Sequence, residues 1–172
     1  MTFINNHIDI EQLPSIEEIE YNALDKKYLT IMRIQTIITT LILSAIISIF
    51  YLSEEGFPLS DYLYIIGGII LLATIKFLYA SISYKYRGYA LREKDIIYKK
   101  GYIWRSITTV PFNRIQHTEI KESAIARLFS LQTVKFYTAG GATSDLKING
   151  LKTNDALRIK EFVNGKLESY EE

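Results

Sequence analysis

Two long apolar runs constrain the fold of this chain more than any other feature of its sequence. The first, Ile34 to Leu52, has 19 residues and no charge, and the second, Leu63 to Ile82, has 20 residues with Lys76 as its only charge. A helix of that length spans about 30 Å, the thickness of the hydrocarbon layer of a bilayer. Two buried helices of a soluble protein are the alternative, but they need a larger surrounding core than 172 residues supply. We therefore predict two transmembrane helices, at 34–52 and 63–82.

The basic residues around these runs predict their orientation. The connection, residues 53–62, carries only acids. By the positive-inside rule this loop is expected outside the cell and both termini in the cytoplasm, which makes the chain a multi-pass protein of the cytoplasmic membrane. A cleaved signal peptide is not expected, because the first run begins after a 33-residue segment of net negative charge and no small-residue cleavage motif follows it. The flanking basic residues are Lys26, Lys27 and Arg33 before the first run and Lys85, Arg87, Arg92 and Lys94 after the second.

The formal charge of +1 is the sum of three unlike segments. Residues 1–33 have a net charge of −3, residues 34–84 of −2 and residues 85–172 of +6. We interpret them as an acidic cytoplasmic N-terminal segment, a transmembrane helical hairpin and a basic cytoplasmic domain.

Small residues in the hairpin predict close helix packing. Thr36, Thr40, Ser44 and Ser48 recur every four residues, so they share one helix face that another helix can approach closely. Its partner is either the second run, through Gly67, Gly68 and Ala73, or the same face of a second copy of the chain. Lys76 has two interpretations as well: it is a functional intramembrane charge, or its side chain snorkels to the cytoplasmic surface.

Residues 85–172 contain short apolar segments separated by turn residues, which is typical of antiparallel strands. Val134 and Phe136 alternate with Lys135 and Tyr137, as expected of a strand with one buried face. Six strands are predicted, at 88–92, 95–104 with a bend at Gly101, 106–112, 115–122, 133–139 and 145–148.

Two helices are predicted in the same domain. Ser123 is expected to cap a short helical turn whose Ile125, Leu128 and Phe129 face the core. Thr153 is expected to be the N-cap of a C-terminal amphipathic helix. An antiparallel sandwich or partly open barrel, with this helix packed last, is the expected architecture. The apolar stripe of the C-terminal helix consists of Ala156, Ile159, Phe162, Val163 and Leu167.

The order of these segments resembles the bacterial pleckstrin-homology (PH) domain of YdbS-type membrane proteins, in which two transmembrane helices precede the domain. The resemblance covers nearly the whole chain. It implies a protein of the bacterial inner membrane whose cytoplasmic domain is a seven-stranded PH-like sandwich with a C-terminal helix. It does not imply an enzyme. One departure is Ser130, where the family often has Gly, so that a left-handed turn there would be slightly strained. The residues that carry the resemblance, with structural roles expected, are Pro111, Arg114, Ile115, Gln116, Gly140 and Gly141, together with the short helix ending at Leu128-Phe129 and the final helix after Gly150-Leu151.

The sequence lacks the common catalytic and metal-binding motifs. It has no cysteine, and its two histidines, His7 and His117, are far apart in sequence. Gly140-Gly141 is not followed by the Lys-Ser/Thr of a phosphate-binding loop. Glu119 and Glu122 lie near His117 in sequence, but a solvated strand edge explains them. We therefore predict no catalytic residue, no metal and no cofactor.

A basic cluster follows the second run, and with Lys76 it is a candidate site for lipid headgroups. Four or more basic residues beside an anionic leaflet suffice for that hypothesis, although topology alone also requires basic residues here. The cluster consists of Lys85, Arg87, Arg92, Lys94, Lys99, Lys100 and Arg105.

Two functions from different classes fit the sequence. One is a non-enzymatic, membrane-anchored interaction or scaffold module that binds another membrane protein, for example a larger relative with the same domain type, through a sheet edge or groove. The other is a component that senses or handles anionic lipids. A homo-oligomer is compatible with both. A nucleic-acid partner is not expected, because no Arg-rich recognition helix is present.

Overall fold

The computed structural model describes residues 19–54, 56–139 and 145–171. A single 3-10 turn, Phe112–Arg114, connects the two sheets. In chain order the elements are β1 (Asn22–Ala23), α1 (Lys27–Ser53), α2 (Leu59–Lys85), β2 (Gly88–Leu91), β3 (Asp95–Lys100), β4 (Ser106–Pro111), β5 (Ile115–Lys121), α3 (Ala124–Leu128), β6 (Leu131–Thr138), β7 (Leu146–Lys152) and α4 (Thr153–Glu171).

Helices α1 and α2 contain the two apolar runs and are both long and apolar enough to cross a membrane. Each has 27 residues, about 40 Å, so each extends beyond a hydrocarbon layer of about 30 Å. Only 6% of each apolar window is buried by the rest of the protein, unlike the interior helices of a soluble core. The first turn of α1 is stabilised by Asp25, whose carboxylate accepts a hydrogen bond from the Lys27 N–H at 2.8 Å.

The small-residue face of α1 points towards α2. Thr36 is buried, and Thr40, Ser44 and Ser48 are half-buried. The hydroxyls of Thr36, Thr40 and Ser48 donate to the carbonyls one turn earlier in α1. The Ser48 hydroxyl also lies 3.0 Å from the Tyr62 hydroxyl of α2, which is a hydrogen bond between the helices.

Gly67 and Gly68 do not supply the partner surface for this face, contrary to the expectation. A Cβ built on either glycine meets no atom within 4 Å, so neither glycine contacts α1. Ala73 does lie on the inner face of α2, beside Thr36 and Thr40. At 100° per residue, Gly67 and Gly68 are rotated by about 120° and 140° from Ala73, which turns them outward. Pairing of the Thr36, Thr40, Ser44 and Ser48 face of α1 with a second copy of the chain stays a prediction.

The domain is a sandwich of two antiparallel sheets with α4 packed against it. Strands β1 to β4 form one sheet in sequence order, and β5 to β7 form the other. The alternation in β6 is confirmed, because Val134 and Phe136 are fully buried between the sheets. Helix α4 adds Ala156, Ile159 and Val163 to the same core.

The seventh strand of this sandwich comes from the segment before α1, where no strand was predicted. Asn22 and Ala23 pair with Tyr89 and Gly88 at the start of β2. The domain therefore contains residues from both sides of the helical hairpin in sequence. The other six strands agree with the sequence interpretation except at two ends. Strand β3 ends at Lys100 because Gly101 turns the chain with φ of +88°. Strand β7 continues through Asn149 and Gly150 to Lys152, beyond the end predicted at residue 148.

The short helix α3 is capped as expected by Ser123, which accepts a hydrogen bond from the Ala126 N–H at 3.2 Å. Ile125 and Phe129 are half-buried, but the core position expected for Leu128 is wrong, because its side chain is 82% exposed. Ile125 and Phe129 are one turn apart and share the inner face, whereas Leu128 is rotated by about 100° from Phe129. The left-handed turn after α3 is confirmed, with φ of +54° at Ser130.

Thr153 is the first residue of α4 rather than the residue before it. Its hydroxyl donates to the Ser130 carbonyl at 3.4 Å. Thr153 thus connects the start of α4 to the turn that follows α3.

Candidate functional site at the domain end of the helical hairpin

The hairpin and the domain share one hydrophobic core. Leu24, three residues before the start of α1, is 4% exposed and belongs to the core cluster of the sandwich. The Tyr84 hydroxyl of α2 donates to the Leu24 carbonyl at 2.6 Å. The Asp25 N–H donates to the Gly150 carbonyl of β7 at 3.1 Å. Both helices are therefore attached to the domain at the end of the hairpin where α1 begins and α2 ends. We call this end the domain end of the hairpin.

Tyr28 of α1 packs directly on the backbone of β7. A Cβ built on Gly150, whose φ is +76°, would lie 2.5 Å from the Tyr28 Cγ. The close approach of the Tyr28 ring thus requires glycine at this position, in addition to the left-handed backbone. This contact fixes α1 against the three-stranded sheet.

A groove of about 470 Å³ opens between the helices at the domain end. It contains two of the predicted site residues, Lys76 and Arg87, together with Thr36 of the small-residue face. Lys76 is exposed, and Arg87 is half-buried. The walls of the groove are formed by Tyr28, Met32, Gln35, Thr36, Thr39, Lys76, Tyr79, Ala80, Ser83 and Arg87.

Arg87 has spare hydrogen-bonding capacity in this groove. Its Nη2 lies 3.5 Å from the Ser83 Oγ, and its guanidinium lies 5.9 Å from the centre of the Tyr28 ring. Its Nε is buried without a hydrogen bond in the described parts of the chain, and on its inner side the guanidinium approaches the Tyr98 side chain. The guanidinium as a whole is partly exposed, and a charge-assisted hydrogen bond from it would favour binding of an anionic oxygen in the groove. The groove therefore combines two cations with hydroxyl and amide groups, which suits a phosphate-bearing ligand.

The rest of the predicted basic cluster does not join this groove. Arg92 forms a two-fold ion pair with Asp95, in which its Nε and Nη2 each donate to one carboxylate oxygen. The ammonium group of Lys99 lies 5.4 Å from the centre of the Tyr21 ring, and the guanidinium of Arg105 lies 5.9 Å from the centre of the Tyr86 ring. Lys85 and Lys100 are exposed. The structure thus divides the cluster among separate surfaces, of which the groove is the most enclosed.

Four residues of the groove were not predicted from the sequence to belong to a site: Tyr28, Gln35, Thr39 and Ser83. A signal for Ser83 was present, because Ala80, Ser83 and Arg87 are spaced by three and four residues and so share one face near the end of α2. For Tyr28 and Gln35 no local signal exists, because their contribution depends on how α1 crosses α2.

The residues that carry the family resemblance have structural positions. Pro111 ends β4, and Ile115 is buried at the start of β5. The Arg114 carbonyl accepts a hydrogen bond from the Ala139 N–H at 3.4 Å, while Gln116 is exposed. Gly140 and Gly141, like His7, lie outside the described residues.

The acidic residues near His117 form ion pairs. The Glu119 carboxylate accepts a 2.7 Å hydrogen bond from the Tyr137 hydroxyl and lies 3.2 Å from the Lys121 ammonium. Glu122 pairs with Arg127 at 2.9 Å. Within the described ranges, no three His, Asp or Glu side chains are placed to hold a metal ion. Solvated ion pairs account for these carboxylates, as the sequence interpretation expects.

We expect the pKa of Glu119 to rise when Tyr137 is replaced by Phe. The Tyr137 hydrogen bond is the main cause that lowers the pKa of Glu119, and Lys121 and Lys135 act in the same direction. A lowered pKa in the folded state contributes stability at pH values above the unfolded pKa of about 4.3, and this contribution is lost as the pH falls through the folded value. Carboxyl NMR titration of Y137F checks the shift, with Tyr102→Phe as the control. An unchanged Glu119 pKa in Y137F would contradict the assignment.

The outer edge of β4 is a second candidate surface. No described strand pairs with it. Strand β4 bonds to β3 through alternate residues, as in any antiparallel pair. The Phe112 N–H donates to the Lys94 carbonyl at 3.0 Å, which makes Lys94 and Phe112 a hydrogen-bonded pair. The next hydrogen-bonded pairs, two residues further along each strand, are Ile96–Val110 and Tyr98–Thr108. The N–H groups of the residues in between, Ile107 and Thr109, therefore point away from β3 and can donate hydrogen bonds to an added strand.

Comparisons with known proteins agree with this architecture. A family model described as "Bacterial PH domain" matches residues 29–167, which include nearly all of both long helices and strands β2 to β7. The "UPF0699 transmembrane protein YdbT" of Bacillus subtilis (strain 168) is 31% identical over 64 residues, which are 36% of this chain and 13% of that protein. No solved structure matches the chain significantly.

Proposed function

Because the chain belongs to the bacterial PH domain family, we propose that it is a non-enzymatic interaction module anchored in the bacterial cytoplasmic membrane. In this proposal α1 and α2 cross the bilayer through residues 34–52 and 63–82, the loop 53–62 is outside, and both termini are cytoplasmic. The basic residues at the domain end support this orientation. The domain then lies at the inner face of the membrane.

The shared core of hairpin and domain is the observation that carries the proposal. Three contacts hold the domain at a fixed position beside the helices. They are the burial of Leu24 in the core, the Tyr84–Leu24 hydrogen bond and the Tyr28–Gly150 contact. A rigidly held domain presents its free surfaces at a constant height above the bilayer. This arrangement suits a scaffold that binds another membrane protein more than a tethered domain that searches for soluble ligands.

The outer edge of β4 is the surface that we propose for this partner. Ile107 and Thr109 offer outward N–H groups, and an extended segment of the partner adds to them as a further strand. A larger transmembrane protein with the same type of domain is the partner class that the proposal favours, consistent with the similarity to the transmembrane protein of B. subtilis.

Thr109→Pro tests the edge with little cost to the fold. Proline removes the outward N–H of Thr109 and leaves the hydrogen bonds of Val110 and Thr108 to β3. We expect T109P to lose its membrane-protein partners in affinity purification from bacterial membranes, while Thr109→Val, which keeps the N–H, retains them. Equal recovery of the same partners with both variants would refute the edge as the binding surface.

Recognition of an anionic lipid is a second candidate function, favoured by the groove that contains Lys76 and Arg87. Arg87 follows the end of α2 by two residues, so its partly exposed guanidinium lies at the level where phospholipid phosphates are expected if α2 spans the bilayer. We expect phosphatidylglycerol to raise the unfolding temperature of the detergent-solubilised protein. Lys76→Gln should reduce this increase, and Lys85→Gln, outside the groove, should not. The same increase in the Lys76→Gln variant would count against a lipid site in the groove.

A further inference from the structure

The turn between β3 and β4, residues 101–105, exposes three consecutive large apolar side chains. Trp104 is 83% exposed, Ile103 62% and Tyr102 40%. Single exposed apolar residues are normal on a protein surface, but a contiguous group at the tip of a β-hairpin such as β3–β4 marks an interaction surface. Neither the β4 edge nor the groove uses these three residues.

The register of the sheet places this turn at the domain end of the hairpin. Strand β2 begins three residues after α2 ends and runs away from it, and β3 runs back antiparallel, with Lys99 opposite Gly88. The turn after β3 therefore returns to the end of α2. Consistent with this, the Tyr102 ring packs against the Tyr86 ring with 4.8 Å between the ring centres, and Tyr86 directly follows α2.

This position corresponds to the interfacial layer of a bilayer. The apolar run of α2 ends at Ile82, so Tyr86 lies about 6 Å further along the helix axis. The headgroup region on each side of the hydrocarbon is about 5 to 7 Å thick. Tyr86 and the turn beside it thus reach the depth at which Trp and Tyr side chains are enriched in membrane proteins.

The charges around the turn complement an anionic surface. Lys85, Lys100 and Arg105 are exposed beside it. From Ile96 to Thr118 the chain contains no Asp or Glu. Basic side chains close to an anionic leaflet stabilise association, and here they flank an apolar tip that can enter the leaflet.

The turn is also preformed. Gly101 has φ of +88°, and a Cβ at this position would lie 2.0 Å from the Trp104 carbonyl oxygen. The chain therefore folds back tightly over Gly101, which no other residue permits without a shift of the backbone. A tip that is already ordered loses little conformational entropy on insertion.

We propose that Tyr102, Ile103 and Trp104 form a wedge that inserts into the interfacial layer of an anionic bilayer beside α2. The wedge gives the domain a third attachment to the membrane, in addition to the two helices. This inference rests on the proposed placement of α1 and α2 in the bilayer.

Trp104 is the single tryptophan of the chain, so intrinsic fluorescence reports on the wedge directly. The full chain is reconstituted in nanodiscs of phosphatidylglycerol and phosphatidylcholine, with or without lipids brominated near the headgroup. We expect blue-shifted emission, loss of most of the intensity with the brominated lipids and weak quenching by iodide. Water-like emission that iodide quenches would overturn the proposal. Blue-shifted emission without quenching by brominated lipids would also overturn it, because protein rather than lipid would then cover Trp104.

A second single-tryptophan variant separates failure of the wedge from failure of the membrane placement. Trp104→Phe with Leu71→Trp moves the reporter to an exposed position in the middle of the α2 run. Quenching of this variant by lipids brominated near the chain ends, without quenching of Trp104 in the natural chain, refutes the wedge and leaves the spanning helices. Absence of quenching in both proteins refutes the spanning helices as well. Discs of phosphatidylcholine alone test the charge requirement, since undiminished insertion there refutes the role of anionic lipid.

Discussion

Replacement of Leu24 by Ala is expected to destabilise the domain by about 2 to 5 kcal/mol, although Leu24 precedes the long helix α1. The reason is that its side chain is 4% exposed within the core of the sandwich, so the truncation leaves a cavity there. For a chain of this size we expect the thermal transition of the domain to fall by roughly 4 to 20 °C. Near-UV circular dichroism of the full chain in detergent measures it.

Leu157→Ala is the matched control for this prediction. Leu157 lies on α4 and is 45% exposed, so the same truncation there leaves no cavity and should change the transition little. Equal transitions in L24A and the natural chain would show that the segment before α1 is not part of the core. The fixed position of the domain beside the helices would then lose its main support.

Replacement of Gly150 by Ala should destabilise the protein to a similar extent for a different reason. The left-handed backbone at Gly150 costs an L-residue about 1 to 2 kcal/mol. Overpacking against Tyr28 adds about 1 to 3 kcal/mol, because the clashing atoms are the Cβ and Cγ near the backbone of α1 and cannot move alone. The expected total is about 2 to 5 kcal/mol, measured as a lower unfolding temperature.

Gly165→Ala is the control for the glycine substitution. A Cβ at Gly165 meets no atom within 4 Å, and alanine is preferred over glycine within a helix by about 0.5 to 1 kcal/mol, so this variant should be slightly stabilised. A double variant, Gly150→Ala with Tyr28→Ala, identifies the contact, since removal of the ring should recover part of the loss. A G150A protein as stable as the natural chain would contradict the docking of α1 on β7.

Local patterns in the sequence predict the features that depend on neighbouring residues. The apolar runs predict α1 and α2, because hydropathy over about 20 residues is a local property. Alternation around Val134 and Phe136 predicts a strand with one buried face, and Ser123 is identified as a helix cap by residue type alone. These predictions hold because no distant contact competes with them.

Features that depend on contacts between residues far apart in the chain could not be predicted from the sequence. Asn22 and Ala23 form a strand only because β2 lies beside them, and two residues carry no periodicity that could indicate it. The rotation of α2, which turns Gly67 and Gly68 outward, depends on how the whole hairpin crosses. For the groove, the residue types of Lys76 and Arg87 could be selected from the sequence, but their meeting with Tyr28 and Gln35 could not.

The interruption of one sheet by the helical hairpin has a consequence for biosynthesis. Strand β1 leaves the ribosome before either helix, but its partner β2 is translated only after both. The sandwich can therefore close only when both helices have been synthesised and the chain has folded back so that β1 and β2 meet. If α1 and α2 cross the bilayer as we propose, completion of the domain requires that β1 and β2 emerge on the same side, and a chain with one helix missing from the bilayer would leave Leu24 without the core that buries it.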